Sequence, residues 1–369
     1  MTATPLKPLI VLTAGGTGGH FFPAEALAAE LLERGKRVVL LTDARSGGLA
    51  SPVFARMEKH VVAGAGLAGR GAARILKGVL ALARGVMQAR GILRRVRPSA
   101  VVAFGGYPSV PPVLAAASLL AGRPLVVLHE QNAVLGRANR FLSQFADILA
   151  LNFSDTQRLP AAVRTAVVGN PVRPSIAKLH GQGYAPPEQM IELLVIGGSL
   201  GARVFSSLVP EALAKLPQAL RARLHVTQQC RVEDIEAARQ IFKNAAVQAE
   251  LSPFFTDVAA LLKRAHLVVA RAGASTVTEI AVVGRPAILI PLPGAIDDHQ
   301  QANADALTTV GGARRLEQPN LTADILAIEI EKFLMSPDVL VKAAAAAARL
   351  GAPDAAARLA DVVLERVRV

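Results

Sequence analysis

The sequence predicts an α/β fold: two Rossmann-like domains whose parallel sheets face each other across a cleft. Three observations predict it. An apolar run, Pro8 to Ala14, breaks into Gly15-Gly16-Thr17-Gly18-Gly19-His20 and then into a helical pattern. Far downstream Ile191 to Ile196 breaks into Gly197-Gly198-Ser199-Leu200-Gly201-Ala202, and a second helical pattern follows. The chain is 52% hydrophobic but only 4% aromatic, a balance that suits parallel strands buried on both faces under helices. A strand, a glycine turn and a helix start together aim backbone N–H groups and the positive end of a helix dipole at an anion, usually phosphate. One such turn also serves plain strand–helix packing. Two at matching places imply a nucleotide-bearing donor brought to an acceptor.

The elements follow in order. In the first half, buried apolar runs place strands at 8–14, 37–42, 100–104, 125–129, 147–151 and 165–169, with helices at 22–34, 71–96, 110–121 and 134–145. The second half repeats the rhythm. Strands fall at 191–197, 223–228, 246–250, 267–270 and 286–291, and helices at 202–216, 231–244, 256–264, 275–283 and 299–310. Gly169-Asn170-Pro171-Val172-Arg173-Pro174 reads as the linker, because its prolines continue neither a helix nor a central strand. The Ala-rich stretch 339–367 reads as two helices separated near Gly351-Ala352-Pro353. The domains are therefore expected at 1–168 and 169–351.

Composition excludes several classes. The single cysteine, Cys230, rules out a disulfide framework and any multi-cysteine zinc site. No signal peptide is apparent, and the longest uncharged stretch, Pro98 to Gly122, is broken by Gly105-Gly106, Pro108 and Pro111-Pro112, so it reads as strand, turn and helix start. A cytosolic or membrane-surface location is expected.

The charge needs a partner. There are 41 Lys and Arg against 28 Asp and Glu, a net charge of +13, and no acid occurs between Lys59 and His129. In helical projection Ile75, Val79, Leu82 and Val86 share one line, with Leu76, Leu80, Ala83 and Met87 beside it. Arg70, Arg74, Lys77 and Arg84 gather on the flank. An aliphatic face bordered by cations suits an anionic membrane interface. Nucleic acid is disfavoured, because this stretch has no aromatic residue on which bases could stack. The plainer reading is an amphipathic helix whose apolar face belongs to the core.

A third block, Ala270 to Glu279, precedes Gly284-Arg285-Pro286 and Asp297-Asp298-His299-Gln300-Gln301-Ala302-Asn303. Small residues at 272–275, including Ala274, allow a ligand to approach a helix start, with Ser275 or Thr276 as the expected cap. Glu279 lies one turn inside that helix and suits ribose hydroxyls. It equally suits the helix dipole. The amides of Gln300 and Gln301 suit sugar hydroxyls.

Taken together, these blocks resemble the MurG family, bacterial transferases that add N-acetylglucosamine to lipid-linked N-acetylmuramyl-pentapeptide. The resemblance runs through Gly15–His20, Gly105-Gly106-Tyr107-Pro108-Ser109, His129-Glu130-Gln131-Asn132, Gly169 to Arg173, Gly197–Ala202, Arg271–Glu279 and Asp298–Asn303. It implies a GT-B fold in which a C-terminal helix, 352–369, returns to the first domain. It also implies inverting transfer from UDP-N-acetylglucosamine to a polyprenyl-diphosphate-linked muramyl-pentapeptide in peptidoglycan synthesis, at the cytoplasmic face of the inner membrane.

The implied roles agree with the residue chemistry. Ser199 and neighbouring amides would hold the donor diphosphate, Glu279 the ribose, and Arg173 with Phe254-Phe255 the uracil. Gln300, Gln301 and Asn132 would contact the sugar. Gly15, Thr17, Gly18, Gly19 and His20 would lie near the acceptor diphosphate, with Thr17, Gly18 and Gly19 also facing the donor and Tyr107 lining the cleft. Leu200 and Val110 depart from the residues common in the family. No Asp-x-Asp pair of the kind that holds a divalent ion is present, so no metal or cofactor is expected, and amides and a helix dipole must stabilise the leaving UDP. His20, whose side chain titrates near working pH, is the first candidate base; it equally suits hydrogen bonding to a diphosphate. Glu130 is the second candidate, or a carboxylate that holds its loop. The alternatives are another GT-B glycolipid transferase or a UDP-sugar epimerase. A nicotinamide oxidoreductase fits poorly, since Asp43 is roughly placed but the glycine spacing differs.

Overall fold

The computed structural model describes residues 8–15, 18–44, 51–63, 72–198 and 202–367, with backbone only at 72–75. Its contacts divide the chain into two units, Met1–Arg173 with Asp354–Val369, and Pro174–Pro353. The first boundary thus falls after Arg173 rather than at the start of the glycine–proline linker, which stays with the first unit.

Unit 1 is built on a seven-stranded parallel sheet. Its strands are β1 (Leu9–Thr13), β2 (Arg37–Thr42), β3 (Glu58–Val61), β4 (Ala100–Ala103), β5 (Leu125–Glu130), β6 (Ile148–Leu151) and β7 (Thr165–Val167), in the order β3-β2-β1-β4-β5-β6-β7. Alternate β1 residues feed two cores. Ile10 and Leu12 pack with Leu27 and Leu31 of the helix Gly18–Glu33 and with Leu359 and Val363 of the helix Ala355–Val367. Leu9 and Val11 pack with Ala89 and Leu93 of the helix Ala72–Val96 and with Val113 of the helix Val110–Ala117. Burial on both faces explains why these strands read as unbroken apolar runs. The last helix is held chiefly by this burial, at about 1.5–3 kcal/mol for each large aliphatic side chain. Asp361 also receives Arg34, but that part-exposed ion pair contributes little.

Unit 2 repeats the plan with six parallel strands. They are β8 (Ile191–Ile196), β9 (Leu224–Gln229), β10 (Gln248–Ser252), β11 (Leu267–Ala270), β12 (Ala287–Leu289) and β13 (Ala313–Arg315), in the order β10-β9-β8-β11-β12-β13. One core joins Leu193 and Val195 of β8 to Phe205 and Val209 of the helix Arg203–Ala214 and to Leu326 and Ile330 of the helix Ala323–Leu334.

Both sheets reverse their strand order beside the first strand of the unit, between β1 and β4 and between β8 and β11. In open α/β sheets ligands bind at that switch point, outside the carboxyl ends of the strands. The two glycine turns of the sequence follow β1 and β8.

Sequence pattern misses β3 and β13, both at sheet edges. Glu-Lys-His-Val and Ala-Arg-Arg carry no apolar run, because an edge strand pairs on one side only. It also misses the helix Ala323–Leu334, although Thr322 caps it by accepting from the Ile325 N–H at 3.3 Å. A third difference bears on the site. The first helix starts at Gly18, ahead of the expected residue 22, which puts His20 in its opening turn and Pro23 in its second.

Candidate functional site

Unit 1 gathers its candidate residues on the loops after β1, β4 and β5. A Cβ on Gly105 or Gly106 would stand 3.5 Å from His20 ring carbons, so the imidazole lies directly over this backbone pair. Both glycines have positive φ, 86° and 71°, a conformation that L side chains avoid. The loop is pinned beneath: Ser109 Oγ donates to Gly105 O at 2.8 Å and Thr13 Oγ1 to Pro108 O at 3.2 Å. Tyr107, half exposed, stands at its tip. Gly15 follows β1 and Gly18 and Gly19 open the helix Gly18–Glu33, whereas Thr17 lies outside the described residues.

After β5 the side chains turn inward. His129 is fully buried, and desolvation pushes its pKa down to about 4, so the ring is neutral at neutral pH. Its partners fix the tautomer: Nε2–H donates to Gly169 O at 2.9 Å, and Nδ1 accepts from Gln131 Nε2 at 3.0 Å. Glu130 is 2% exposed and takes four donors. Oε1 accepts from the Asn132 N–H and Asn132 Nδ2, both at 3.0 Å, and Oε2 from the Gly136 N–H and Asn139 Nδ2, both at 2.9 Å. With four donors on two oxygens, the geometry favours holding the 130–139 loop over proton abstraction. Asn132 is drawn into the same network. Arg173, expected at the uracil, lies in unit 1 with its guanidinium 4.8 Å over the Phe22 ring.

Unit 2 collects most of the residues expected at the donor. Gly197 and Gly198 follow β8; Ser199 lies outside the described residues. After β11 the helix Ala274–Val283 begins on Gly273 as N-cap with no side-chain cap bond, so Ser275 and Thr276 sit inside its first turn and do not cap it. Ala274 stands at the opening of this helix, and Glu279 is half-buried one turn on. Arg271, 7% exposed, donates to Ile290 O and Pro291 O at 3.0 and 3.1 Å. It thereby fixes the segment after β12 that leads to Gln300 and Gln301. Gln300 Oε1 accepts from the Leu292 N–H at 3.0 Å, and Asn303 Nδ2 donates to Ala272 O at 3.1 Å, joining this segment to the β11 loop. Asp297 and Asp298 both adopt left-handed φ, 55° and 53°. Strained non-glycine backbone of this kind gathers at functional sites. Phe255 is half-buried after β10, with Phe254 exposed beside it.

The cationic helix differs from its projection. Leu76, Val79, Leu80 and Met87 are 49–67% exposed, whereas Leu82 and Val86 are partly buried. The expected line through Ile75, Val79, Leu82 and Val86 is split: Val79 is exposed, Leu82 and Val86 are partly buried, and the exposed apolar row beside it runs through Leu76, Leu80, Ala83 and Met87. The buried side carries Gly85, where a Cβ would collide with Ala63 O. Lys77 and Arg84 are exposed. Arg70 and the side chains of Arg74 and Ile75 lie outside the described residues.

With both edges built, comparison with known proteins identifies the family. Residues 10–150 match the glycosyltransferase family 28 N-terminal domain and residues 192–359 its C-terminal domain. A Granulibacter bethesdensis protein is 58% identical over 96% of this chain and 92% of its own length. One from Acidiphilium cryptum is 57% identical over the whole of both. Both are named UDP-N-acetylglucosamine--N-acetylmuramyl-(pentapeptide) pyrophosphoryl-undecaprenol N-acetylglucosamine transferase. The crystal structure of Acinetobacter baumannii MurG superposes with a TM-score of 0.76 at 30% identity, covering 97% of this chain and 100% of that one. A UDP-N-acetylglucosamine 2-epimerase superposes at 0.70 but is 14% identical, a likeness of fold alone. The chain belongs to the MurG family, within glycosyltransferase family 28, and has its GT-B fold.

Proposed function

We propose that this chain is a hexosyltransferase that moves N-acetylglucosamine from UDP-N-acetylglucosamine to the polyprenyl-diphosphate-linked muramyl-pentapeptide of peptidoglycan synthesis. The observation that carries it is near-full-length identity of 57–58% to transferases of that name. Two glycine turns at two topological switch points fit a reaction with two diphosphate-bearing substrates. A mass-spectrometric donor screen with the lipid-linked acceptor tests it: a product heavier by one N-acetylhexosamine, from the UDP sugar only, is expected. Epimerised donor with no acceptor product would favour the epimerase alternative.

Unit 2 is the donor half. Gly198 and Ser199 offer amides and a hydroxyl to the diphosphate, and the helix starting at Ala274 directs the positive end of its dipole there. Glu279 takes the ribose hydroxyls, Phe255 the uracil, and Gln300 and Gln301 the sugar. In unit 1, His20 removes the proton of the acceptor hydroxyl while Gly15, Thr17, Gly18, Gly19 and Tyr107 receive the rest of the acceptor. Direct displacement at the anomeric carbon inverts it. The departing UDP is stabilised by amides and dipole, with no metal or cofactor. Glu279→Ala is expected to raise donor KM by about 1–3 kcal/mol of lost charged hydrogen bonding. An unchanged donor KM in the folded variant would return Glu279 to a dipole role.

The acceptor lipid places the work at a bilayer, at the cytoplasmic face of the inner membrane, with the protein peripheral. No helix among the described residues is long and apolar enough to cross. The exposed row of the 72–96 helix, flanked by Lys77 and Arg84 in an acid-free stretch, supports docking by insertion and charge. Changing Leu76, Leu80 and Met87 together to Ser should release the protein from anionic vesicles and spare activity on a short-chain soluble acceptor. Retained vesicle binding would rule this face out.

A further inference from the structure

We propose that Gln229 is a positioning residue that sets the distance between the diphosphate turn and the base-contacting segment of the donor site. The proposal rests on the donor reading of unit 2. Gln229 ends β9, the strand between β8 and β10, so it can reach both neighbouring loops. It is 7% exposed. Its Oε1 accepts from the Gly197 N–H at 3.0 Å, and its Nε2 donates to Gly198 O at 3.1 Å and to Pro253 O at 3.2 Å. The backbone donor at Gly197 fixes the amide's orientation, since only an oxygen can receive it. Both amide hydrogens are then used, one on each loop.

One side chain thus ties the first two residues of the β8 turn to the residue preceding Phe254-Phe255. Gly198 holds a φ of 83°, a backbone state open to glycine, and this turns the chain so that its carbonyl meets Gln229. Within the described part of the turn, the Gly197 N–H and the Gly198 carbonyl are thus both held by one side chain. Charge grows on the UDP diphosphate as the anomeric bond breaks, and donors set before the reaction stabilise it most. Loosening the turn should therefore weaken diphosphate binding and also slow the chemical step. The base-contacting segment keeps its own anchors, among them Ser252 Oγ donating to Phe254 O at 2.8 Å, so uridine should still bind.

The test compares UDP with uridine by calorimetry in wild type, Gln229→Met and Gln229→Glu, with steady-state kinetics and thermal unfolding alongside. Met keeps the length and removes every hydrogen bond. Glu keeps the bond from Gly197 and turns carboxylate oxygen toward two carbonyls. The expected result is a fall of about tenfold in the ratio of UDP to uridine affinity, or roughly 1.4 kcal/mol. Donor KM should rise and kcat fall, with acceptor KM and uridine affinity unchanged. If Met fails to fold, Glu carries the test. Equal losses for uridine and UDP, or a lowered melting point with an unchanged ratio, would make Gln229 merely structural and overturn the proposal. Wild type that binds UDP, with variants that bind it equally well, overturns the proposal alone. Wild type that binds neither ligand overturns the donor reading beneath it.

Discussion

Glu130→Gln is expected to destabilise the protein by about 2–6 kcal/mol, because two buried or part-buried N–H groups lose their acceptor at an unsatisfied-donor cost of roughly 1–3 kcal/mol each. The carboxylate accepts from four donors, two on each oxygen. Glutamine supplies one oxygen, and its NH2 group faces either Asn132 or the Gly136 and Asn139 pair, donor against donor. Asn139 also donates to His129 O at 3.0 Å, so the disturbance reaches β5. Urea unfolding measures it, as a lower midpoint with an unchanged slope. The same variant separates the two roles considered for Glu130. A loop holder loses stability, and its activity falls in proportion to the folded fraction. A general base loses kcat while the midpoint stays put. A midpoint within experimental error of wild type together with abolished turnover would restore Glu130 as the base.

The sequence exposes the strands that are buried on both sides and loses two of the four edge strands, β3 and β13, while the edge strands β7 and β10 stay legible. β1, β4 and β5 are legible because both faces need apolar residues. β3 and β13 carry charges on strands that close a sheet on one side. The site divides similarly. Glycine turns are readable because positive φ and close backbone approach leave few residue choices. Gln229 and Arg271 carry no local signal, since their partners, Pro253 and Gly197 for one and Ile290 and Pro291 for the other, come together only when β9 and β11 take their places in the sheet. The cap at Gly273 shows a further limit. Ser275 and Thr276 look like capping residues by type, yet the helix is capped at Gly273, two and three residues ahead of them, so neither can cap it. The cationic helix errs by about one residue row for a physical reason. Gly85 lets the helix approach Ala63, which rotates Leu82 and Val86 inward and leaves Leu76, Leu80 and Met87 outside.

His20→Ala is expected to lower kcat by about 10²–10⁴, the usual contribution of a positioned general base. Three features of the site support the role. The ring lies over the Gly105-Gly106 backbone, so its orientation is set by packing. It belongs to the first turn of the 18–33 helix, at the β1 switch point where an acceptor diphosphate would sit. Its electrostatic neighbour His129 is neutral at working pH, so no imidazolium stands beside it to oppose proton uptake. A base must be unprotonated to act, so wild-type kcat should fall as pH drops through the base's titration, and this acidic limb should vanish in the residual activity of the Ala variant. The competing role, hydrogen bonding to the acceptor diphosphate, makes a different prediction. His20→Gln retains a donor of similar reach but cannot take up a proton. If His20 is the base, Gln and Ala are equally slow, with donor KM and unfolding midpoint unchanged. If His20 only donates to the diphosphate, Gln restores most of the turnover, Ala raises acceptor KM more than it lowers kcat, and the acidic limb survives in both variants. Rescue by Gln would therefore remove His20 from proton transfer and leave it as part of the acceptor's anion cradle.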